Sequence, residues 1–376
     1  MSGTSIHGKY KPGTLADLVS ITHDACDILA PMIKKFYDKM AESKATNQKL
    51  KADATYFTIV DGIVQKLIVD SLFCRSKFLE IVGEEDDCNV NLTTAPFTVD
   101  ELVVPAEFNS IVEQTRDKIA KLSLKIDPVA YKLLTVFVDP IDGTREFATG
   151  KGEYCSMLIG YNSPVGLPVA GIIYRPLTNP PTWAAGCKSE NLAIGQLDKA
   201  ATPNFNGVLV SDGKNSPFLL KIIEDMNMEK IPSYASGNRA LMLVEGKAGA
   251  YIRDTGGFSK WDCSGPQAVV EAYGGVMSKL PKYMTEKKLE SYTYLKTRRN
   301  LDFDPDLVTL TLSNAKNKKE LKLMEDDQLA EDVDLVKEYA CVEGLLAFNK
   351  EGLPLLERLD RVMSKIAITG TPPLFT

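Results

Sequence analysis

Residues 136–147 read VFVDPIDGTREF. The apolar, β-branched start of this stretch predicts a short buried strand, and the strand ends in acids set around a proline and a glycine. Asp139, Asp142 and Thr144 fall within six residues of one another. Pro140 fixes φ, and Gly143 permits a tight bend with φ > 0. The same letters also make an ordinary acidic turn, because Asp, Pro and Gly form turns anywhere. The alternative is that Asp139 and Asp142 face one cation, with the Ile141 carbonyl as a neutral ligand.

Three further acidic clusters share this context of an apolar run or a helix start. They are Asp53 in KADATYFTIVDGIVQ, Glu84 and Glu85 in IVGEEDD, and Asp262 in KWDCSGP. Carboxylates gathered at one point repel each other unless a cation neutralises them. Hard oxygen donors select Mg²⁺, Mn²⁺ or Ca²⁺ over soft metals.

The rest of the chain narrows the chemistry. Its only two histidines, His7 and His23, both lie near the N-terminus. A Ser-His-Asp arrangement needs a histidine beside its other parts, so acid–base work is expected from carboxylates, hydroxyls and activated water. The net charge of -6 argues against nucleic-acid polymers and membrane surfaces as partners. No apolar stretch approaches the ~18 residues of a membrane span. Seven cysteines with no CxxC pair fit reduced thiols and a cytoplasmic location.

Along the chain, residues 14–42 and 56–73 carry apolar positions at threes and fours and predict helices, the first divided or kinked at Pro31. Residues 77–87 predict a strand entering an acidic turn, and 98–122 a helical segment capped by Asp100. Strands are expected at 132–139, 153–162 and 167–177, the last two as a hairpin. A second lobe opens at 207–212, followed by helices at 216–226 and 261–275 and a helix-then-strand at 238–254. Residues 279–335, rich in Lys, Glu and Asp, read as a charged insertion with local helices, and 341–366 as a strand and a final helix. The expected organisation is an N-terminal lobe over 1–200 and a C-terminal lobe over 201–376. Helices and strands alternate in blocks, so the fold class is α+β.

Taken together and in order, IVGEED, VDPIDGTREF and KWDCSGPQAVVEAYGG resemble the signature motifs of the lithium-sensitive, magnesium-dependent phosphomonoesterases of the inositol monophosphatase superfamily. The resemblance runs from about residue 15 to 275, with a weaker tail at 341–366. Gly143 and the segment SGNRALMLVEGKAGAYI look most like its bisphosphate nucleotidase branch. The resemblance implies a layered αβαβα sandwich of the sugar phosphatase type. It implies metal ligation by Glu84, Asp139, Asp142, Asp262 and the Ile141 carbonyl, for two or three Mg²⁺ ions, with Li⁺ as inhibitor. It implies water activation by Asp53 and Thr144. Ser211, Lys214, Gly237 and Arg239 fall where relatives contact the nucleotide, and Gly143, Thr144 and Asp262 border the same place.

The implied reaction releases the 3'-phosphate of adenosine 3',5'-bisphosphate. The alternatives are the 1-phosphate of inositol 1,4-bisphosphate and, more remotely, a sensor that binds such ligands without hydrolysis. The implied partner is a small phosphomonoester, and no protein partner is indicated.

Overall fold

The computed structural model describes residues 8–45, 51–212, 215–254, 258–296, 339–341 and 344–368. The first helix, α1 (Leu15–Ala45), runs through Pro31 without ending. The second, α2 (Lys51–Leu67), passes into a single π turn at Ile68–Leu72. The threes-and-fours pattern puts Leu18, Ile21, Leu29 and Phe36 of α1, and Ile59, Ile63 and Leu67 of α2, into one core.

That core covers one face of a six-stranded sheet, ordered β1 (Glu80–Gly83), β5 (Thr135–Asp142), β6 (Ser156–Asn162), β7 (Pro168–Arg175), β8 (Thr182–Cys187) and β9 (Leu192–Gln196). β1 and β5 are parallel, and the remaining pairs are antiparallel. The hairpin expected at 153–177 is β6–β7. A small three-stranded sheet, β2 (Val90–Asn91), β3 (Thr98–Val99) and β4 (Leu102–Val103), precedes α3 (Asn109–Ser123). Asp100 therefore caps no helix. It sits at φ 51° in the tight turn between β3 and β4, and the helix starts only after Pro105.

After the short α4 (Thr144–Ala148) and the first sheet, the chain builds a five-stranded sheet. Its order is β11 (Glu229–Ser233), β10 (Gly207–Ser211), β12 (Ala250–Arg253), β16 (Leu345–Phe348) and β14 (Val276–Lys279). Between the two sheets lie α6 (Ser236–Val244) and α7 (Trp261–Ala272), which pack on each other and on β6 and β7. The outer face of the second sheet is covered by α5 (Pro217–Asp225), α8 (Leu280–Glu286) and α9 (Leu355–Ile368). Helix, sheet, helix, sheet and helix layers make the αβαβα sandwich.

One device seats α7. Gly160, Gly171 and Gly186 stand directly opposite one another across β6, β7 and β8. A Cβ on Gly160 would lie 2.0 Å from Ser264 Oγ, and one on Gly171 would lie 2.8 Å from Gly265 Cα. The glycine row is a flat bed that lets α7 rest against the strand backbones, which places the helix entrance, and Asp262 with it, at the end of β5.

The segment expected to be a charged excursion from residue 279 is in its first part integral to the core. Residues 287–296 return past β14, where Lys279 N–H donates to Glu290 O, and reach the β6–β7 turn, where Tyr294 N–H donates to Gly166 O. Tyr292 and Tyr294 are buried with Tyr339, which pairs to β13 (Phe258–Ser259) through its neighbours in β15 (Ala340–Cys341). Their aromatic area outweighs the surrounding charge. Residues 297–335 lie outside the described residues.

Candidate active site

On a regular strand, residues three apart point to opposite faces. Asp139 and Asp142 escape that rule because β5 carries a bulge. Asp139 pairs with Leu158 and Asp142 with Ser156, so three steps on β5 answer two on β6. The extra residue resets the alternation, and both carboxylates reach the same side. Asp262, from the first turn of α7, joins them, with carboxylate oxygens of all three within 4.8 Å of one another.

The loop after β1 brings the fourth acid. Gly83 N–H donates to Asp86 Oδ2 at 2.8 Å, and Gln65 on α2 donates to Asp86 Oδ1 at 2.9 Å while accepting from the Glu85 N–H. This bracing holds Glu84, at the solvent-facing mouth of the recess, in a hydrogen bond with Asp139.

Burial and mutual repulsion set the electrostatics. Loss of solvation pushes the Glu84 carboxyl up to about 7, with Asp262 adding to it. Asp142 is also pushed up to about 7 by burial and then Asp262, against the pull of the Gly237 and Ser236 amides and Arg239. Asp139 is driven well above the carboxylate range by burial, then by Glu84, Asp142 and Asp262, and its Oδ1 has no partner among the described residues. Asp262 is raised by burial, offset by the Ser259 amide, Arg253, Ser236 and Arg239. A cluster of this kind, all oxygen donors and short of positive charge, fits a hard divalent cation.

The structure adds an acid that sequence reasoning did not assign. Asp61 on α2 is 2% exposed and its Oδ1 is without a partner among the described residues. It hydrogen-bonds Glu85, accepts from the Ile141 backbone, and is raised well above its ordinary value by burial and then by Glu85 and Glu84. Asp53, expected in this role, lies eight residues earlier on the same helix, about 12 Å away along the axis at 1.5 Å per residue. The helical rise thus brings position 61, not 53, to the end of β5. The signal was present in FTIVDGIVQ, where Asp61 is a lone acid on an apolar face.

The remaining expected residues divide. Gly143, at φ 100°, turns the chain from β5 into α4, and Thr144 opens that helix, exposed and next to the recess. The Ile141 side chain is buried, and its backbone hydrogen-bonds Asp61. Gly237 N–H donates to Asp142 Oδ2 at 2.7 Å, and Ser236 Oγ meets Asp262 Oδ1 at 3.3 Å. Ser211 ends β10, and its neighbour Asp212 pairs with Arg145 at 3.5 Å. Lys214 lies outside the described residues.

Arg239 corrects an expectation. It is 8% exposed, donates to the Ser233 carbonyl at 2.8 Å and hydroxyl at 3.1 Å, and lies over the Tyr251 ring. Its donors are thereby turned into the protein, and its charge serves Asp142 and Asp262. Arg253, at the end of β12, was not singled out from sequence. It lines a recess with Ser236, Phe258 and Asp262 and lies over the Phe258 ring at 4.6 Å.

The five-layer sandwich thus carries, at the end of β5, an acidic recess whose oxygen donors suit a hard divalent cation. The chain belongs to the inositol monophosphatase family, whose profile matches residues 15–302. Among curated relatives, it is 28% identical over 272 residues to the mouse protein named 3'(2'),5'-bisphosphate nucleotidase 1, covering 69% of this chain and 84% of the relative. The human protein of that name is 26% identical over 280 residues, with the same coverage. Inositol monophosphatase 3 of Xenopus laevis is 23% identical over 305 residues, covering 78% of this chain and 82% of the relative. The fold superposes on an inositol monophosphatase from Zymomonas mobilis with a TM-score of 0.51 at 14% identity, covering 93% of this chain and 98% of the other.

Proposed function

We propose that the protein is a Mg²⁺-dependent, Li⁺-sensitive phosphatase that removes the 3'-phosphate of adenosine 3',5'-bisphosphate, giving AMP and phosphate. The observation that carries this reading is the set of five converging carboxylates, Asp61, Glu84, Asp139, Asp142 and Asp262, with orphaned oxygens on Asp61 and Asp139. The names of the nucleotidase relatives direct the choice of substrate.

Glu84, Asp139, Asp142, Asp262 and the Ile141 carbonyl would hold two or three Mg²⁺ ions. When bound, Mg²⁺ supplies Lewis-acid charge to the phosphoryl oxygens and lowers the pKa of water. The chain's own residues do the rest. Asp61, replacing Asp53 in the role expected from sequence, accepts the proton of the attacking water through the Thr144 hydroxyl. Gly143 holds Thr144 at the mouth, and Ser236 and Gly237 keep Asp142 from rotating. Arg253 faces the non-reacting phosphate with a planar fork suited to it, while Ser211 borders the nucleoside. Li⁺ inhibits by entering a Mg²⁺ position. The seven cysteines are unpaired, in keeping with a reducing compartment such as the cytoplasm.

A phosphate-release panel over adenosine and inositol bisphosphates, with Mg²⁺ and with or without Li⁺, tests the reading. The expected result is the highest kcat/KM on adenosine 3',5'-bisphosphate, suppressed by Li⁺. Preference for inositol 1,4-bisphosphate would transfer the assignment to the second reading, a 1-phosphatase of inositol polyphosphates. Ligand binding with no Mg²⁺-dependent phosphate release would leave only a sensor.

A further inference from the structure

We infer that Arg175, remote from the carboxylates, is a positioning residue for the reaction, acting on Asp142 through the register of α6. Arg175 ends β7 and is 3% exposed. Its Nη1 donates to Glu245 Oε1 at 2.7 Å and its Nη2 to Glu245 Oε2 at 3.3 Å. The same Nη2 donates to the Asn238 carbonyl at 3.2 Å. Glu245 is the C-cap of α6, and Asn238 is in its first turn. One guanidinium from the first sheet thus grips both ends of a nine-residue helix.

The front of that helix does the holding at the site. Ser236 N–H reaches Asp142 Oδ1 at 3.3 Å, and Gly237 N–H reaches Oδ2 at 2.7 Å. Ser236 Oγ meets Asp262 Oδ1. Ala235, just before them, is held at φ 51°, ψ 147°, a conformation nearly confined to glycine. A strained turn relaxes unless something behind it is fixed. Arg175 supplies that fixed point, because its planar fork satisfies the Glu245 carboxylate and the Asn238 carbonyl at once. Lys247 also meets Glu245, at 2.9 Å, but from the half-exposed side, so it secures only the back of the helix. If α6 slides along its axis, both amides leave Asp142 and the carboxylate is free to rotate.

The inference rests on the reading of Asp142 as a cation ligand. The test is the double variant Arg175→Met/Glu245→Met in the full chain, since replacing a buried ion pair by apolar groups of similar volume is often neutral for stability. The expected result is a thermal midpoint close to the parent's, with kcat and calorimetric Mn²⁺ affinity both lowered about 10- to 100-fold, as for partners that orient a ligand, and KM little changed. Arg175→Lys, which keeps the charge and loses the fork, is expected to fall between the two.

Parent kcat and Mn²⁺ affinity in the folded double variant overturn the inference. So do losses that merely track a lowered midpoint. If the double variant does not fold, Arg175→Lys is read on the same two measurements, and parent values there overturn it. A parent protein that binds no Mn²⁺ removes the ligand reading itself, and this inference falls with it.

Discussion

Two groups of buried charge lie on opposite sides of α6, and they are built on contrary principles. Behind the helix, Arg175 and Glu245 form a pair in which the guanidinium fork meets the carboxylate and the Asn238 and Thr182 oxygens nearby. In front of it, Asp139, Asp142 and Asp262 crowd within 4.8 Å, with Glu84 and Asp61 beside them. In the first group both terminal nitrogens of the guanidinium are engaged, and the charge is met by a carboxylate of opposite sign. The second is all of one sign and leaves buried oxygens without partners, which a fold tolerates only where something else supplies the missing charge. Charge met by opposite charge marks this part of the frame, and like charges crowded together mark the site.

The sharpest way to break the contrast is Asp139→Asn. Removing one like charge is expected to abolish turnover, on the order of 10³-fold, the upper range for losing one electrostatic stabiliser. The metal-free thermal midpoint should hold or rise. Unchanged Mg²⁺-dependent kinetics in this variant would remove the ligand assignment.

Next in size is the pair Asp61→Asn and Asp53→Asn. The first should lower kcat about 10²-fold, the lower end of the range for a general base, and the second should leave it nearly unchanged. The reverse order in steady-state rates would restore the role to Asp53.

Gly160→Ala probes the frame instead. Its Cβ would press on Ser264 Oγ and, at 2.5 Å, on the Gly265 backbone nitrogen, so a loss of about 1–3 kcal/mol is expected from overpacking. Denaturant melts read this directly, and parental stability would show that α7 does not rest on the glycine bed as described.

The smallest effect is a pH dependence. Glu84 and Asp142, raised to about 7 by burial, bind more protons folded than unfolded. Their contribution is therefore full below the unfolded carboxylate pKa, ~4, and is lost as pH rises through about 7. The metal-free midpoint should fall by a few °C between pH 5 and pH 8, and Mg²⁺ should cancel the fall. A midpoint that rises with pH without metal would contradict the crowding.

Much of this was legible in the sequence where the signal is local. The apolar periods of α1 and α2, the β6–β7 hairpin and the entrance to α7 all follow from spacing along a few turns or one strand. The clustered acids Glu84, Asp139, Asp142 and Asp262 were legible because each ends an apolar run or opens a helix. The misreadings were of another kind. Asp100 reads as a cap because the two-residue strands on either side of it are too short to announce themselves. Residues 287–296 read as part of an excursion because their charge hides Tyr292 and Tyr294, whose burial depends on partners far along the chain.

By itself, the sequence determined the donor chemistry: carboxylates and a threonine, no histidine near them, and strand ends to carry them. Only the tertiary structure decided which acids meet. A strand's parity makes Asp139 and Asp142 strangers until the β5 bulge turns them to one side. A helix's rise sets Asp61 rather than Asp53 against Ile141, and the packing of α6 turns Arg239 inward. The physical reason is that periodicity fixes only the direction of a side chain relative to its own element. Convergence depends on how elements pack, here on glycines that let α7 touch the sheet and on one arginine that holds α6 in register.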